Sequence, residues 1–394
     1  MRIKYGGRRD AHRYKCAPHA KWEFASLPEN LTANRKLSHI QTTLHKDVQS
    51  HAPTGFDDVR LVHKALPEID RDEIDLSTEI FGHKISAPLI IESMTGGTPK
   101  AAKINRTLGK AAEKLQIGMG VGNQRAAIED PRLAYTYSVT RDVAPSIPLF
   151  ANIGCPQLLQ KDAIERARRA VDMINANGLF IHLNALQESV QYEGETNFRG
   201  MLDKISDIVH TIPVPVLIKE TGAGISLETA KAAEAVGTQG INVSGLGGTS
   251  WAAVEYYRAK AKRHAIQTGL GMTFWDWGTP TVASIVEVAN STHLKVIASG
   301  GVRNGLHIAK AEALGAHYGG IALPMLKSAA HGEEAAIERL TIVIEELRNA
   351  MFLSGSRNLD ELRHVPLVIT GDTYLWLIQR GFDPGRYALR RKPT

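Results

Sequence analysis

Eight stretches of the chain carry residues able to bind or react: Met94-Thr95-Gly96-Gly97, Gly122-Asn123-Gln124-Arg125, Asn152, His182-Leu183-Asn184, Lys219-Glu220-Thr221, Ser244 through Thr249, Ser299 through Arg303, and Ala322-Leu323. The segment His182-Leu183-Asn184-Ala185-Leu186-Gln187-Glu188 is the richest. Period-two alternation puts His182 and Asn184 on one face where a strand ends, with Gln187 and Glu188 in the loop beyond. A neutral amide such as Gln187 orients groups at a reaction centre without titrating. Glu188 is a hard oxygen ligand suited to Mg²⁺, which takes one or two carboxylates and adds substrate phosphates. Lys219 closes the apolar run VPVLIKE. Its ammonium would face an electron-rich carbonyl or ring nitrogen, as on the N1–C2=O side of a reduced flavin. A Schiff-base lysine is the rival reading, and the glycines and amides around it suit a flat cofactor better. Gly300 and Gly301 precede a helix expected from about Leu306, and Ala322-Leu323 precede one expected from Met325. Glycine backbone and helix N-termini together make a phosphate site there. Arg35, Lys36 and Arg125 supply cations able to clamp a diphosphate, arginine in bidentate fashion and lysine as a point charge.

These groups need a frame that brings eight strand ends together. Short apolar runs recur at Ala87–Met94, Ile117–Gly122, Ile147–Ile153, Leu179–Asn184, Val214–Glu220, Gly240–Ser244, Lys295–Ser299 and Tyr318–Leu323. Helical patterns alternate with them; Ile104, Leu108, Ala111 and Leu115 share one helix face. Near-continuous apolar strands alternating with helices indicate a parallel sheet buried on both sides. Eight such units predict an α/β fold of the (β/α)8 barrel kind, with reacting groups at the C-terminal strand ends. The interval from Ser244 to Lys295 leaves room for an extra helix and a long loop. A doubly wound dinucleotide fold is the weaker reading, because G-x-G-x-x-G and Walker sequences are absent. The organisation expected is a basic extension over 1–33, a segment over 34–84 covering the barrel mouth, the barrel over 85–352 with one or two helices up to Met351, and a tail with a helix over 353–394.

Composition narrows the class. Of 394 residues, 43% are hydrophobic and 22% charged, ordinary for a soluble globular protein. No run reaches a membrane span or a secretory signal. Cys16 and Cys155 cannot make a disulfide framework, so a reducing, cytoplasmic setting is expected. The net charge of +6 sits in residues 1–21, where seven basic side chains face Asp10 alone. The body is balanced, which argues against nucleic acid as a partner.

In this order the motifs resemble the type 2, FMN-dependent isopentenyl-diphosphate isomerases. The matching pieces are Arg35-Lys-Leu-Ser-His-Ile40, Met94-Thr-Gly-Gly97, Gly120-Val-Gly-Asn-Gln-Arg-Ala126, His182 through Glu188, Lys219-Glu-Thr-Gly-Ala-Gly224, Ser244-Gly-Leu-Gly-Gly-Thr-Ser-Trp251 and Ser299-Gly-Gly-Val-Arg-Asn-Gly305. The resemblance implies that FMN is held by Met94, Thr95, Gly96, Asn123, Asn152, Lys219, Ser244, Thr249, Gly300, Gly301, Val302, Arg303, Ala322 and Leu323. It implies that a prenyl diphosphate meets Arg35, Lys36, Asn123, Gln124, Arg125, Asn184 and Gln187, that Gln187 and His182 serve catalysis, and that Glu188 holds Mg²⁺. The implied reaction converts isopentenyl to dimethylallyl diphosphate by a 1,3-proton shift with reduced FMN as acid and base, primed by NADPH or NADH. Homotetramers or homo-octamers are implied as well. No strong side-chain acid is evident beside Gln187, which fits a flavin-supplied proton. Asn123 departs from the Ser or Thr usual before the Gln-Arg pair, and the first 30 or so residues have no counterpart. An FMN-dependent 2-hydroxy-acid oxidase or dehydrogenase is the competing class. It needs a histidine base near the flavin, and Ser244–Trp251 has none.

Overall fold

All eight expected strands form, and they close into one parallel barrel: β1 (Leu89–Ile91), β2 (Gly118–Gly120), β3 (Leu149–Gly154), β4 (Gly178–His182), β5 (Val216–Lys219), β6 (Gly240–Asn242), β7 (Lys295–Ala298) and β8 (Tyr318–Ile321). They pair in chain order, and β8 returns to β1. The architecture comes from a computed structural model, which describes residues 31–390. The basic extension expected over 1–33 therefore lies, up to residue 30, outside the described residues.

The barrel interior is built in layers by period-two alternation. Ile90, Phe150, Phe180, Leu217, Ile297 and Tyr318 point inward and form one apolar cluster. Two residues further along the same strands stand Glu92, Asn152, His182, Lys219, Ser299 and Gly320, which line a cavity at the C-terminal mouth. Strand register sets His182 beside Lys219 and Lys219 beside Asn242. Three of the helices that follow the strands start on side-chain caps. Thr98 Oγ1 accepts from Ala101 N–H at 3.1 Å, Ser250 Oγ from Ala253 N–H at 3.1 Å and Asn304 Oδ1 from His307 N–H at 2.8 Å.

Outside the strands the structure departs from expectation in three places. The segment 34–84 serves both ends of the barrel. The helix Leu31–His45 lies across the mouth against the helices Trp251–Ala261 and Leu323–Ala329. Further on, the hairpin Thr78–Ile80 and His83–Ile85 seals the opposite end, because its alternation turns Ile80 and Ile85 onto the apolar layer. The interval after Ser244 holds three helices, Trp251–Ala261, Ala265–Thr273 and Thr281–Ala289, where one helix beyond the unit's own and a long loop were expected. The C-terminal stretch contains a strand, Leu367–Ile369, paired antiparallel with Val59–Leu61. Two helices, Leu323–Ala329 and Glu333–Leu353, follow β8. No helix among the described residues is long and apolar enough to cross a membrane.

Candidate active site

The cavity at the barrel mouth gathers most of the residues singled out by their sequence. Arg35, Lys36, Met94, Thr95, Asn123, Asn152, His182, Asn184, Gln187, Glu188, Lys219, Ser244, Thr249, Gly300 to Arg303, Ala322 and Leu323 all line it. Gly96, Gln124 and Arg125 do not. Gly96 packs beneath Tyr137, whose ring would meet a Cβ there at 1.9 Å. That glycine allows the close approach of Tyr137, which in turn donates to Asn123 O at 2.7 Å. Gln124 is fully buried in the wall, where its amide donates to Ala170 O at 2.8 Å and accepts from Asn152 N–H at 2.9 Å. Arg125 is tied to Glu129 at 2.7 Å and to Glu195 at 2.9 Å, and reaches the cavity only through its field. Asn123 has a local reason to be asparagine: its Oδ1 accepts from Arg125 N–H at 2.9 Å, an Asx turn leading into the next helix.

One end of the cavity is cationic. Lys36 is half-buried, and its desolvation, together with Arg35 and Arg125, lowers its ammonium to about 7. A partly desolvated cation facing cations awaits an anion. His182 Nδ1 lies 2.6 Å from Asn152 Oδ1, so with the amide oxygen as acceptor the proton sits on Nδ1 and Nε2 is bare. Burial, then Lys36 and Lys219, lower the imidazole to about 3, which keeps it neutral. Glu188 Oε1 accepts from Asn184 Nδ2 at 2.7 Å and its Oε2 from Glu195 N–H at 2.8 Å, while burial raises the carboxyl. Among the described residues no cluster of three metal-ligating side chains occurs. A lone carboxylate fits a Mg²⁺ held mainly by substrate phosphates.

Beside Gln187 the structure corrects the expectation. A carboxylate stands there: Gln187 Nε2 donates to Glu255 Oε1 at 3.0 Å. His39 Nε2 lies 3.0 Å from the same oxygen, and Arg258 binds the other. Burial alone would raise Glu255, but His39, Arg258 and Gln187 outweigh it and leave the carboxyl at about 2. Burial lowers His39 despite Glu255, so the ring donates as a neutral imidazole. Glu255 went unseen in the sequence, since it sits in an Ala-Val helix turn, and His39, although inside the motif Arg35 to Ile40, was given no role because its partner lies across the mouth. Glu92 was also missed. Its Oε2 lies 2.9 Å from Lys219 Nζ, and both side chains are buried. Alternation from Ile90 was the signal that would have found it.

The cofactor half fits a flavin mononucleotide. The Thr95 and Ser93 hydroxyls are buried beside the cavity without a hydrogen-bond partner. Gly300 and Gly301 take φ of 92° and 72°, turning the chain after β7 past the cavity. Ser244, with φ of 39°, is a non-glycine residue held in the same left-handed region.

Known proteins resemble this chain in sequence and in fold. The family profile described as FMN-dependent dehydrogenase matches residues 157–368. Among solved structures, flavocytochrome b2 superposes with a TM-score of 0.62 at 17% identity, covering 92% of this chain and 90% of that one. Mandelate oxidase does so with a TM-score of 0.58 at 17% identity, covering 86% of this chain and 97% of that one. At that identity these show the barrel fold. The isopentenyl-diphosphate delta-isomerase of Thermococcus kodakarensis is 51% identical over 360 residues, 89% of this chain and 95% of that one. The enzyme of the same name from Methanothermobacter thermautotrophicus is 48% identical, over 91% of this chain and 100% of that one. The chain belongs to the isopentenyl-diphosphate delta-isomerase family.

Proposed function

We propose that this protein interconverts isopentenyl and dimethylallyl diphosphate by a 1,3-proton shift. The observation that carries the reading is the cavity itself, which pairs a cationic end with a neutral amide anchored on a buried carboxylate. Arg35 and Lys36 would clamp the diphosphate, and Glu188 would hold a Mg²⁺ that offsets its charge. His182, neutral, offers a bare Nε2 to a donor, and Asn184 keeps Glu188 in place. Gln187, fixed through Glu255, orients the isoprenoid carbons without taking up charge. The helix Leu31–His45, which carries Arg35, Lys36 and His39, keeps water from the reacting carbons.

Met94, Thr95, Asn123, Asn152, Lys219, Ser244, Thr249, Gly300 to Arg303, Ala322 and Leu323 would hold FMN. Reduced FMN, when bound, would supply the acid and base for the proton shift, and NADPH or NADH would serve only to reduce it. A cytoplasmic homotetramer or homo-octamer, with neither nucleic acid nor membrane as partner, is part of the same reading.

The test is anaerobic incubation with FMN, dithionite, Mg²⁺ and isopentenyl diphosphate in D₂O, followed by NMR. Deuterated dimethylallyl diphosphate, formed only with reduced FMN, supports the isomerase. A protein that binds FMN and leaves the diphosphate unchanged is some other flavoenzyme.

A further inference from the structure

A buried polar chain crosses the barrel mouth beneath the cofactor end of the cavity. Lys219 Nζ lies 2.9 Å from Glu92 Oε2. Asn242 Nδ2 donates to Glu92 Oε1 at 2.7 Å, and Ser299 Oγ donates to Asn242 Oδ1 at 2.5 Å. Ser299 Oγ accepts in turn from Ser244 N–H at 3.1 Å. The chain joins β1, β5, β6 and β7, and it ties together Lys219 and Ser244, two residues assigned to the flavin. Its hydrogens assign themselves. Ser299 receives the Ser244 amide, so its own proton goes to Asn242 Oδ1 and the Asn242 amide hydrogens face Glu92. One oxygen of Glu92 accepts an N–H and the other faces an ammonium. Glu92 is therefore a carboxylate.

The fold makes room for that charge. A Cβ on Gly320 would stand 2.0 Å from Glu92 Oε1. Lys219 and Glu92 form an ion contact and not an aligned hydrogen bond, since Oε2 has no directed donor. Both side chains line the cavity, so the ammonium that Glu92 holds stands at the cavity wall. The other carboxylate in the lining, Glu188, is occupied by Asn184 and the Glu195 amide.

We propose that Glu92 is a positioning residue that acts through Lys219: it holds the ammonium under the flavin and offsets its field, keeping the potential of the bound FMN low. This rests on the FMN reading above. A bare cation near the pyrimidine edge of a flavin favours the anionic reduced form and raises its potential. A carboxylate 2.9 Å from that cation takes back part of the effect. Lys219 can then bind the reduced cofactor without committing it to the anion.

The experiment compares the wild-type full-length protein, Glu92→Gln and Glu92→Ser by anaerobic dye-coupled potentiometry of bound FMN. Oxidised FMN affinity is measured in parallel by fluorescence quenching. The glutamine keeps the volume facing Gly320, and the serine leaves space for water beside Lys219 should the glutamine variant misfold. We expect either variant to shift the preference for reduced over oxidised FMN about tenfold, a rise of about 30 mV, with oxidised binding changed less than threefold. A midpoint that stays put or falls in a folded variant, even with lowered thermal stability, makes Glu92 a structural ion-pair partner and overturns the proposal alone. A wild-type protein that takes up no FMN overturns the proposal together with the reading beneath it.

Discussion

The same strands that pack Phe150, Phe180, Leu217 and Ile297 against one another carry Asn152, His182, Lys219 and Ser299 one repeat further on. The lower layer is closed by Ile80 and Ile85 from the hairpin, and the upper by the helix Leu31–His45. In the lower layer every side chain is satisfied by its neighbours. In the upper layer satisfaction is incomplete: Thr95 Oγ1 and Asn184 Oδ1 are buried without partners, and Lys36 faces other cations. A core is finished within the chain, whereas a site is left for its ligands to finish.

Substitution in the lower layer should therefore cost stability and spare chemistry. Ile80 is fully buried and belongs to no barrel strand. We expect Ile80→Ala to lower unfolding free energy by about 2–5 kcal/mol in urea denaturation, with kcat per folded molecule within about twofold of wild type. A large loss of kcat in the folded variant would mean that the two layers are not separable.

The upper layer should respond in the opposite way. Removing the amide in Gln187→Ala should leave FMN bound and lower kcat by about a hundredfold, within the range of a positioned polar group. Glu255→Gln should cost a similar factor, because Gln187 takes its orientation from Glu255 Oε1. Groups acting as one unit do not multiply, so the double variant should be no slower than the worse single one. Steady-state kinetics in which the two losses multiply would separate Gln187 from Glu255.

The contrast between layers also explains what could be read in advance. Eight apolar runs specified the barrel, alternation placed His182 and Asn184 on one face at its mouth, and the end of an apolar run placed Lys219 there, because these rules act within one strand. Glu92 obeys the same rule from Ile90 but lay inside the run Ala87–Met94, where it read as strand interior. Glu255 obeys no local rule. It meets Gln187 across 68 residues and His39 across 216, and only the closed barrel brings those helices together. Gly96 and Gln124 show the converse: they sit inside binding motifs yet serve Tyr137 and the Asn152 backbone. A glycine kept for packing and one kept for a phosphate are spelled alike.

The smallest expected effect tests how incomplete the upper layer is before substrate arrives. Lys36 is lowered from 10.5 to about 7 by burial and by Arg35 and Arg125. A diphosphate beside it favours the ammonium, so binding draws a proton onto Lys36 wherever the free enzyme lacks one. Affinity is then full below pH 7 and falls as pH rises through that value, by about tenfold one unit above it. Calorimetric titration with the diphosphate in two buffers of different ionisation enthalpy should count nearly one proton taken up at pH 8 and little at pH 6. Lys36→Arg, whose guanidinium stays charged throughout, should bind with no such uptake. Equal proton counts in wild type and Lys36→Arg at pH 8 would show that Lys36 is already charged in the free enzyme and that its neighbours do not press on it as their positions imply.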